Sequence, residues 1–315
     1  KYYRKANHNQ GSCVNYAISQ AKGRFFSLLD SDDTYNIADF NVVIDNLRTL
    51  DEDVDLLITN YSLHFIQPDG SDKVAKVRVS KTPRDIRKMP FNDLLLFSML
   101  TIHSCIYKTS IMKTINPIPE DIGYSDNVMY FEVMQKINYV AYSKLNVCLY
   151  NYFIRRDHQA ISMIRSTKNF DDFPTILNAM LSSPIDTTNK KRIAVARKII
   201  SNHFCWIVVV LSNYHHYHSG IKARMLRDYA NAIRECEIKN GIKGKLTNAI
   251  VKFFIAFPKF SLQFIKLLYD FVPVKMIKAT KYSKEAKKEA KRLSKEYRAK
   301  FRNAKKIVRK AKKAS

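Results

Sequence analysis

The segment FFSLLDSDDTYN, residues 25–36, runs from an apolar stretch directly into three carboxylates, Asp30, Asp32 and Asp33. The stretch before the acids has the composition of a buried strand. Open α/β sheets bind their ligands at the carboxyl ends of strands, which is where these acids fall. Because like charges this close repel one another, the segment predicts a bound cation or metal–phosphate complex. The alternative is that the acids only favour the N-terminus of a helix beginning near Asn36.

Helices and strands alternate outward from this segment. Apolar periodicity and capping residues predict helices over residues 14–22, 36–50 and 127–137. Short apolar runs predict strands over residues 24–29, 54–61, 102–107 and 147–153. Strand patterns then fade, and the sequence predicts three parts: an α/β domain over residues 1–165, a helical region over 166–244 and a basic amphipathic helical tail over 245–315.

Charge and cysteine content narrow the class of protein. The 315 residues have a net charge of +26, and residues 275–315 alone contain 18 basic and 3 acidic residues, a net +15. Such a tail indicates an anionic partner. Since no apolar run reaches the length of a bilayer, no spanning helix is predicted. The five scattered cysteines form no CxxC pair, which favours a reduced, cytoplasmic chain with buried thiols.

A strand that ends in Asp-x-Asp has two well-known uses. In haloacid-dehalogenase-like phosphatases the pattern is Asp-x-Asp-x-Thr, which DSDDT matches. Asp30 would then attack phosphorus and Asp32 would protonate the leaving group, with Mg2+ nearby. In glycosyltransferases the two acids hold a divalent metal against the diphosphate of a sugar nucleotide.

The flanking residues resemble family 2 glycosyltransferases. Residues 7–36, NHNQGSCVNYAISQAKGRFFSLLDSDDTYN, contain the Asn-x-Gly, helical Asn, Ala-x-Gly and aromatic strand that precede Asp-x-Asp-Asp in that family. The matching positions are Asn9, Gly11, Asn15, Ala21, Gly23, Phe25, Phe26, Asp30, Asp32 and Asp33. The phosphatase motif lacks this upstream pattern and usually has Leu or Val where this chain has Tyr35.

Two downstream segments extend the resemblance to about residue 165. IGYSDNVMYFEVM, residues 122–134, is similar to the family's acidic helix start and places Asp126 there. LYNYFIRRDHQAIS, residues 149–162, is similar to the tyrosine-rich strand and Gly-Arg-x-x-Gln-Ser loop. Arg156, Gln159 and Ser162 match that loop, while Arg155 and Ala160 depart from it.

The resemblance implies a GT-A fold (Rossmann-like, with a mixed sheet) and inverting transfer from a nucleotide-diphospho-sugar. It implies Asp126 as the catalytic base and Asp32 and Asp33 as ligands of Mn2+ or Mg2+. The remaining matched positions would bind the donor, with Asp30 near the ribose: Asp30, Asn9, Gly11, Asn15, Arg156 and Gln159. Family members of this kind build cell-surface polysaccharide, teichoic-acid-like polymer or glycolipid, so a saccharide or lipid-linked acceptor is implied.

The family's first strands have no counterpart after Lys1, the first residue of the sequence. The resemblance therefore implies a truncated GT-A domain that is incomplete and inactive as given. The alternative is a non-catalytic remnant that binds a membrane or nucleic acid through its tail.

The tail has an amphipathic pattern. Lys252, Lys259 and Lys266 recur every seven residues, although Pro258 is expected to split the helix. The surface opposite these lysines is expected to hold Phe254, Phe257, Phe260, Phe264 and Leu268. A longer apolar stripe, from Tyr282 to Val308, lies under dense Lys and Arg. Such helices suit the interface of an anionic membrane, so the protein is expected to be peripheral at the inner face of the cell membrane, and nucleic acid is the competing anion.

Overall fold

The chain folds into two mixed β-sheets followed by a helical region. The computed structural model describes residues 3–66, 71–79, 88–94, 100–143, 147–154, 170–213, 217 and 219–268. The helices are α1 Asn9–Gln20, α2 Ile37–Thr49, α3 Thr109–Met112, α4 Asp126–Met134, α5 Asp172–Ser182, α6 Lys190–Asn213, α7 Ser219–Lys239, α8 Ala249–Ala256 and α9 Pro258–Leu268. The strands are β1 Phe25–Ser27, β2 Thr34–Tyr35, β3 Leu56–Ile58, β4 Asn60–Ile66, β5 Asp72–Val77, β6 Met89–Pro90, β7 Cys105–Lys108, β8 Tyr139–Tyr142 and β9 Cys148–Ile154.

The acidic segment connects the two sheets. The first sheet has the order β1-β7-β3-β8-β6 and the second β2-β9-β4-β5. In each sheet one pair is parallel, β3 with β8 and β4 with β9, and the remaining pairs are antiparallel. Since β1 ends in the first sheet and β2 begins in the second, the acids lie at the junction. The expectation of an α/β fold with a mixed sheet and a helical C-terminal region is confirmed.

Several element boundaries differ from those predicted. Helix α2 starts as predicted, with the Asn36 side chain accepting a hydrogen bond from the Asp39 N–H at 3.1 Å. Helix α1 was predicted over residues 14–22 and is found at Asn9–Gln20, so it begins and ends earlier than predicted. The strand predicted over 54–61 is two strands, because the chain passes from one sheet to the other at Thr59. The strand predicted over 102–107 begins as a 3-10 turn, Ile102–Ser104.

The helical region shares one hydrophobic core with the α/β part. Phe173, Ile176 and Phe204 belong to the same buried cluster as Leu56 and Tyr107 of the first sheet. By length and composition, residues 190–212 within α6 could cross a membrane, although no spanning helix was predicted. However, 56% of this apolar window is buried inside the protein. This helix therefore packs as the central helix of the C-terminal part.

The first part of the predicted tail also packs onto this body. Val251, Phe254 and Leu262 are buried, so the expectation that Phe254 faces a partner is wrong. Helices α8 and α9 are apolar on more than one side, and periodicity alone does not choose which side meets the core. The break before Pro258 is confirmed. The stripe from Tyr282 to Val308 lies outside the described residues.

Candidate active site

Strand β9 holds the acidic segment in place through Asp33. One carboxylate oxygen of Asp33 accepts a hydrogen bond from the Tyr150 hydroxyl at 2.8 Å, and the other accepts from the Phe153 N–H at 2.9 Å. The Tyr150 oxygen also accepts from the Asp30 N–H at 3.1 Å. Asp33 is only 7% exposed, and both its oxygens have protein donors, so it anchors the turn that presents the half-buried Asp30 and Asp32.

The structure brings Asp126 to the same place. Burial raises the pKa of Asp126 to about 6, and the charge of Asp30 adds to the increase. Burial, followed by the charges of Asp33 and Asp32, likewise raises the pKa of Asp30, against a hydrogen bond from the Gln10 amide at 3.1 Å. Neighbouring negative charges thus raise the pKa of both Asp30 and Asp126, and a bound cation would stabilise such an arrangement. Asp126 is the first residue of α4, after the N-cap Ser125.

His103 lies against these acids as a neutral ring. Its ring stacks on Tyr152, with centroids 4.2 Å apart, and its Nε2 lies 3.9 Å from an oxygen of Asp30. Burial lowers the pKa of His103 to about 4 and outweighs the opposing charge of Asp32. At neutral pH this contact is therefore no ion pair, and the uncharged imidazole has a lone pair to offer a metal.

The donor set fits a divalent cation. Asp30, Asp33 and His103 each place one ligand atom so that all three lie within 4.8 Å of one another. Carboxylate oxygens suit Mg2+ and Mn2+, and an imidazole nitrogen is compatible with Mn2+. The oxygens of Asp33 already accept two hydrogen bonds and one oxygen of Asp30 accepts another. Asp32 is next to this group in sequence but is not one of its three members. The assignment of Asp32 and Asp33 to the metal stays a prediction.

Three predicted donor-binding residues, Asn9, Gly11 and Asn15, lie on α1. Two of them, Gly11 and Asn15, contact the segment leading to Asp126. The Asn15 amide donates to the Ile118 carbonyl at 2.9 Å and accepts from the Ile118 N–H at 2.9 Å. Gly11 packs directly on Pro119, and Asn9 begins the helix at φ 61°. These contacts position the approach to α4; binding of the donor by Asn9, Gly11 and Asn15 stays a prediction.

We expect Gly11→Ala to destabilise the protein. A Cβ at this position would lie 2.2 Å from the Pro119 carbonyl oxygen, and backbone atoms cannot move aside cheaply. The expected loss is about 1–3 kcal/mol, as for overpacked sites, measured by denaturant unfolding. Gly23→Ala is the matched control, since its Cβ would meet the Phe25 carbonyl at an ordinary 3.4 Å. Equal stability of both variants would contradict the close packing of α1 on this segment.

Sequence analysis missed three residues of the site. No role was predicted for Tyr150, Tyr152 or Gln10. Tyr150 and Tyr152 are two residues apart on β9 and so lie on the same face, which strand periodicity could have indicated. Gln10 has no comparable signal, because its contact with Asp30 depends on how α1 packs. Arg156 and Gln159 lie outside the described residues, so their assignment also stays a prediction.

Comparison with known proteins gives relatives of one class. No protein-family profile matches the chain. An uncharacterized glycosyltransferase of Rickettsia typhi is 30% identical over 145 residues, 42% of this chain and 42% of that protein. Uncharacterized glycosyltransferases of Rickettsia felis and Rickettsia conorii are 31% identical over 91 residues, 26% of this chain and 15% of theirs. The matched part therefore spans less than half the length of these curated relatives.

A solved structure shares the fold. The crystal structure of S. aureus TarS residues 1–349 in complex with UDP-GlcNAc superposes with a TM-score of 0.56 at 14% identity, covering 85% of this chain and 74% of that one. The chain has a glycosyltransferase-like fold. Together with the named relatives, this agrees with the class expected from the residues around Asp30 and Asp126. At this level of identity the likeness concerns the fold alone.

Proposed function

We propose that this protein is a family 2 glycosyltransferase of the GT-A type that moves a sugar, with inversion, from a nucleotide-diphospho-sugar to an acceptor hydroxyl. The observation that supports this most is that Asp30, far from Asp126 in sequence, lies close enough for its charge to raise the pKa of Asp126. One lies after β1 and the other begins α4. Together they provide an acidic centre and a separate base in a glycosyltransferase-like fold.

Asp126 is proposed as the general base. A sugar acceptor hydroxyl must lose a proton as it attacks the anomeric carbon. A base is most effective when its pKa is near the working pH, and burial raises the pKa of Asp126 to about 6. Asp126 is thus largely ionised at neutral pH and a stronger base than an exposed carboxylate. Tyr107 and Tyr152 lie near Asp126, and its charge contributes to the raised pKa of both hydroxyls.

Asp30, Asp32 and His103 are proposed to hold Mn2+ or Mg2+ close to the donor diphosphate. When bound, the metal stabilises the negative charge of the departing nucleotide. The protein's own part is to fix the ligands: Tyr150 holds the turn through Asp33 and Gln10 orients Asp30. The TarS structure contains UDP-GlcNAc, so a uridine-diphospho-sugar is the first donor class to test.

The acceptor is proposed to be a saccharide or lipid-linked chain of the cell surface, such as polysaccharide, teichoic-acid-like polymer or glycolipid. The supporting feature is the basic segment 275–315, with 18 basic and 3 acidic residues, which would hold the enzyme at an anionic membrane. Each lysine or arginine near such a surface contributes about 1 kcal/mol. A cytoplasmic enzyme at the inner face of the membrane would meet lipid-linked acceptors there.

A thermal-shift screen of the full-length protein tests the donor assignment. UDP-GlcNAc and other nucleotide sugars are added with and without Mn2+. We expect a metal-dependent rise in Tm for one nucleotide sugar, since a ligand at about 100 times its Kd stabilises the folded state by about 2.7 kcal/mol. Free sugar with Mn2+ is the control and should give no rise. No stabilisation by any nucleotide sugar would contradict the proposal.

A further inference from the structure

Helices α8 and α9 expose a cluster of large apolar side chains at the bend between them. Ile250 is 57% exposed, Phe253 40%, Phe257 57% and Phe260 55%. We call these four residues the aromatic patch. The Phe253 ring lies 5.4 Å from the Phe257 ring and 6.1 Å from the Phe260 ring, so the patch is continuous across the bend. Grouped exposed aromatics of this kind mark a binding surface, whereas scattered single ones do not.

The patch is rigidly supported from behind. Val251 and Phe254 of α8 and Leu262 of α9 are buried in the main core. The Asn248 side chain caps α8 by accepting from the Val251 N–H at 2.9 Å. Because the inner faces of both helices are already packed, the four patch residues cannot turn inward without loss of that core. Their orientation away from this core is therefore fixed by the packing of α8 and α9.

The sequence around the patch is predominantly basic. From Ile238 to Tyr269 the sequence contains six lysines and no acidic residue. Lys252 and Lys259 are exposed beside the patch. The sequence that follows, residues 275–315, adds a net +15. Apolar side chains surrounded by lysines match a lipid surface, in which rings enter the acyl boundary while lysines reach the headgroups.

We propose that the aromatic patch inserts into the interface of an anionic lipid bilayer and so docks the protein on a membrane. Other occupants suit the charges less well. Packing of segment 275–315 on the patch, or of a second copy of the chain, would bring lysine-rich surfaces together. The phosphates of a nucleic acid would pair with the lysines, but a nucleic acid provides no apolar phase for the four patch side chains. Docking is independent of the transferase proposal, since lipid binding requires no sugar transfer.

Vesicle co-sedimentation of the full chain tests the docking. We expect binding to vesicles of phosphatidylcholine with phosphatidylglycerol and much weaker binding to phosphatidylcholine alone. Phe253→Ser with Phe257→Ser should lower binding to the anionic vesicles by at least about tenfold at unchanged net charge, because each inserted ring contributes that much or more. The matched control is Ile37→Ser with Val74→Ser, which removes apolar side chains that are 73% and 55% exposed elsewhere and should bind like the parent.

A second measurement locates the inserted residue. Phe257→Trp should show fluorescence quenching by brominated anionic lipids beyond that of the parent, which contains one tryptophan. Unchanged vesicle binding by the double serine variant would overturn the proposal. So would absence of quenching at Trp, equal binding to neutral vesicles, or a dimer in solution that the serine changes dissociate.

Discussion

In the intact enzyme, Asp126→Asn is expected to lower kcat by about 10²–10⁴, the usual contribution of a positioned general base. Donor affinity should change little, because a base acts in the transition state and adds little to ground-state binding. The measurement is turnover alongside donor binding by calorimetry, once the donor is known. Wild-type kcat should rise with pH through about 6, where Asp126 loses its proton. The variant should lose that step.

The same carboxylate that raises kcat is expected to lower the stability of the folded protein as the pH rises. The folded pKa of Asp126 lies above its usual 3.8, so between pH 3.8 and about 6 the folded state binds more protons and its stability falls as the pH rises. At neutral pH the ionised group therefore costs stability. Asp126→Asn should raise the free energy of unfolding by about 1–2 kcal/mol at pH 7.5, allowing for the partial exposure of the side chain.

Asp121→Asn is the matched control for this change. It removes an exposed carboxylate from the segment leading to Asp126, where the Asp121 carboxylate lies 2.9 Å from the His8 ring. Asn tolerates the positive φ of 61° at this position well. We expect wild-type turnover and stability. If Asp126→Asn instead weakened donor binding as much as it lowered turnover, Asp126 would be a binding or structural residue.

Asp32→Asn should remove the Mn2+-dependent part of donor binding. Loss of a group that supports a metal ligand lowers affinity by about 10- to 100-fold, and loss of a charged ligand should cost at least that. The measurement is the Tm rise with donor and Mn2+ compared with donor alone. The fold should survive, because Asp32 is half-buried and the turn is held by Asp33 and Tyr150.

Asp45→Asn controls for the change in charge. Asp45 lies on α2, and its side chain is 71% exposed and forms an ion pair with Arg48 at 3.0 Å. Its variant should keep the full metal-dependent response. Hydrolysis of a simple phosphomonoester by the wild-type chain, lost in Asp30→Asn, would assign the acidic segment to phosphatase chemistry and contradict the transferase proposal.

The sequence by itself determined the features that depend on neighbouring residues. The apolar run into Asp30 and the Asn36 cap of α2 are local patterns, and the structure has them where they were expected. Helix α4 was predicted over residues 127–137 and is found at Asp126–Met134. The alternation of helix and strand, fading into helices, likewise predicted the fold class. Such features follow from periodicity and capping, which act over one or two turns of chain.

Only the tertiary structure decided how these pieces interact. The proximity of Asp126 to Asp30, the anchoring of Asp33 by Tyr150 and the neutral state of His103 all require residues from separate elements to meet. A pKa depends on burial and on nearby charge, neither of which a linear pattern contains. The sequence pattern of α8 likewise does not show which of its several apolar sides packs against the core. Packing on α6 and α7 buried Phe254 and left Phe253 and Phe257 exposed.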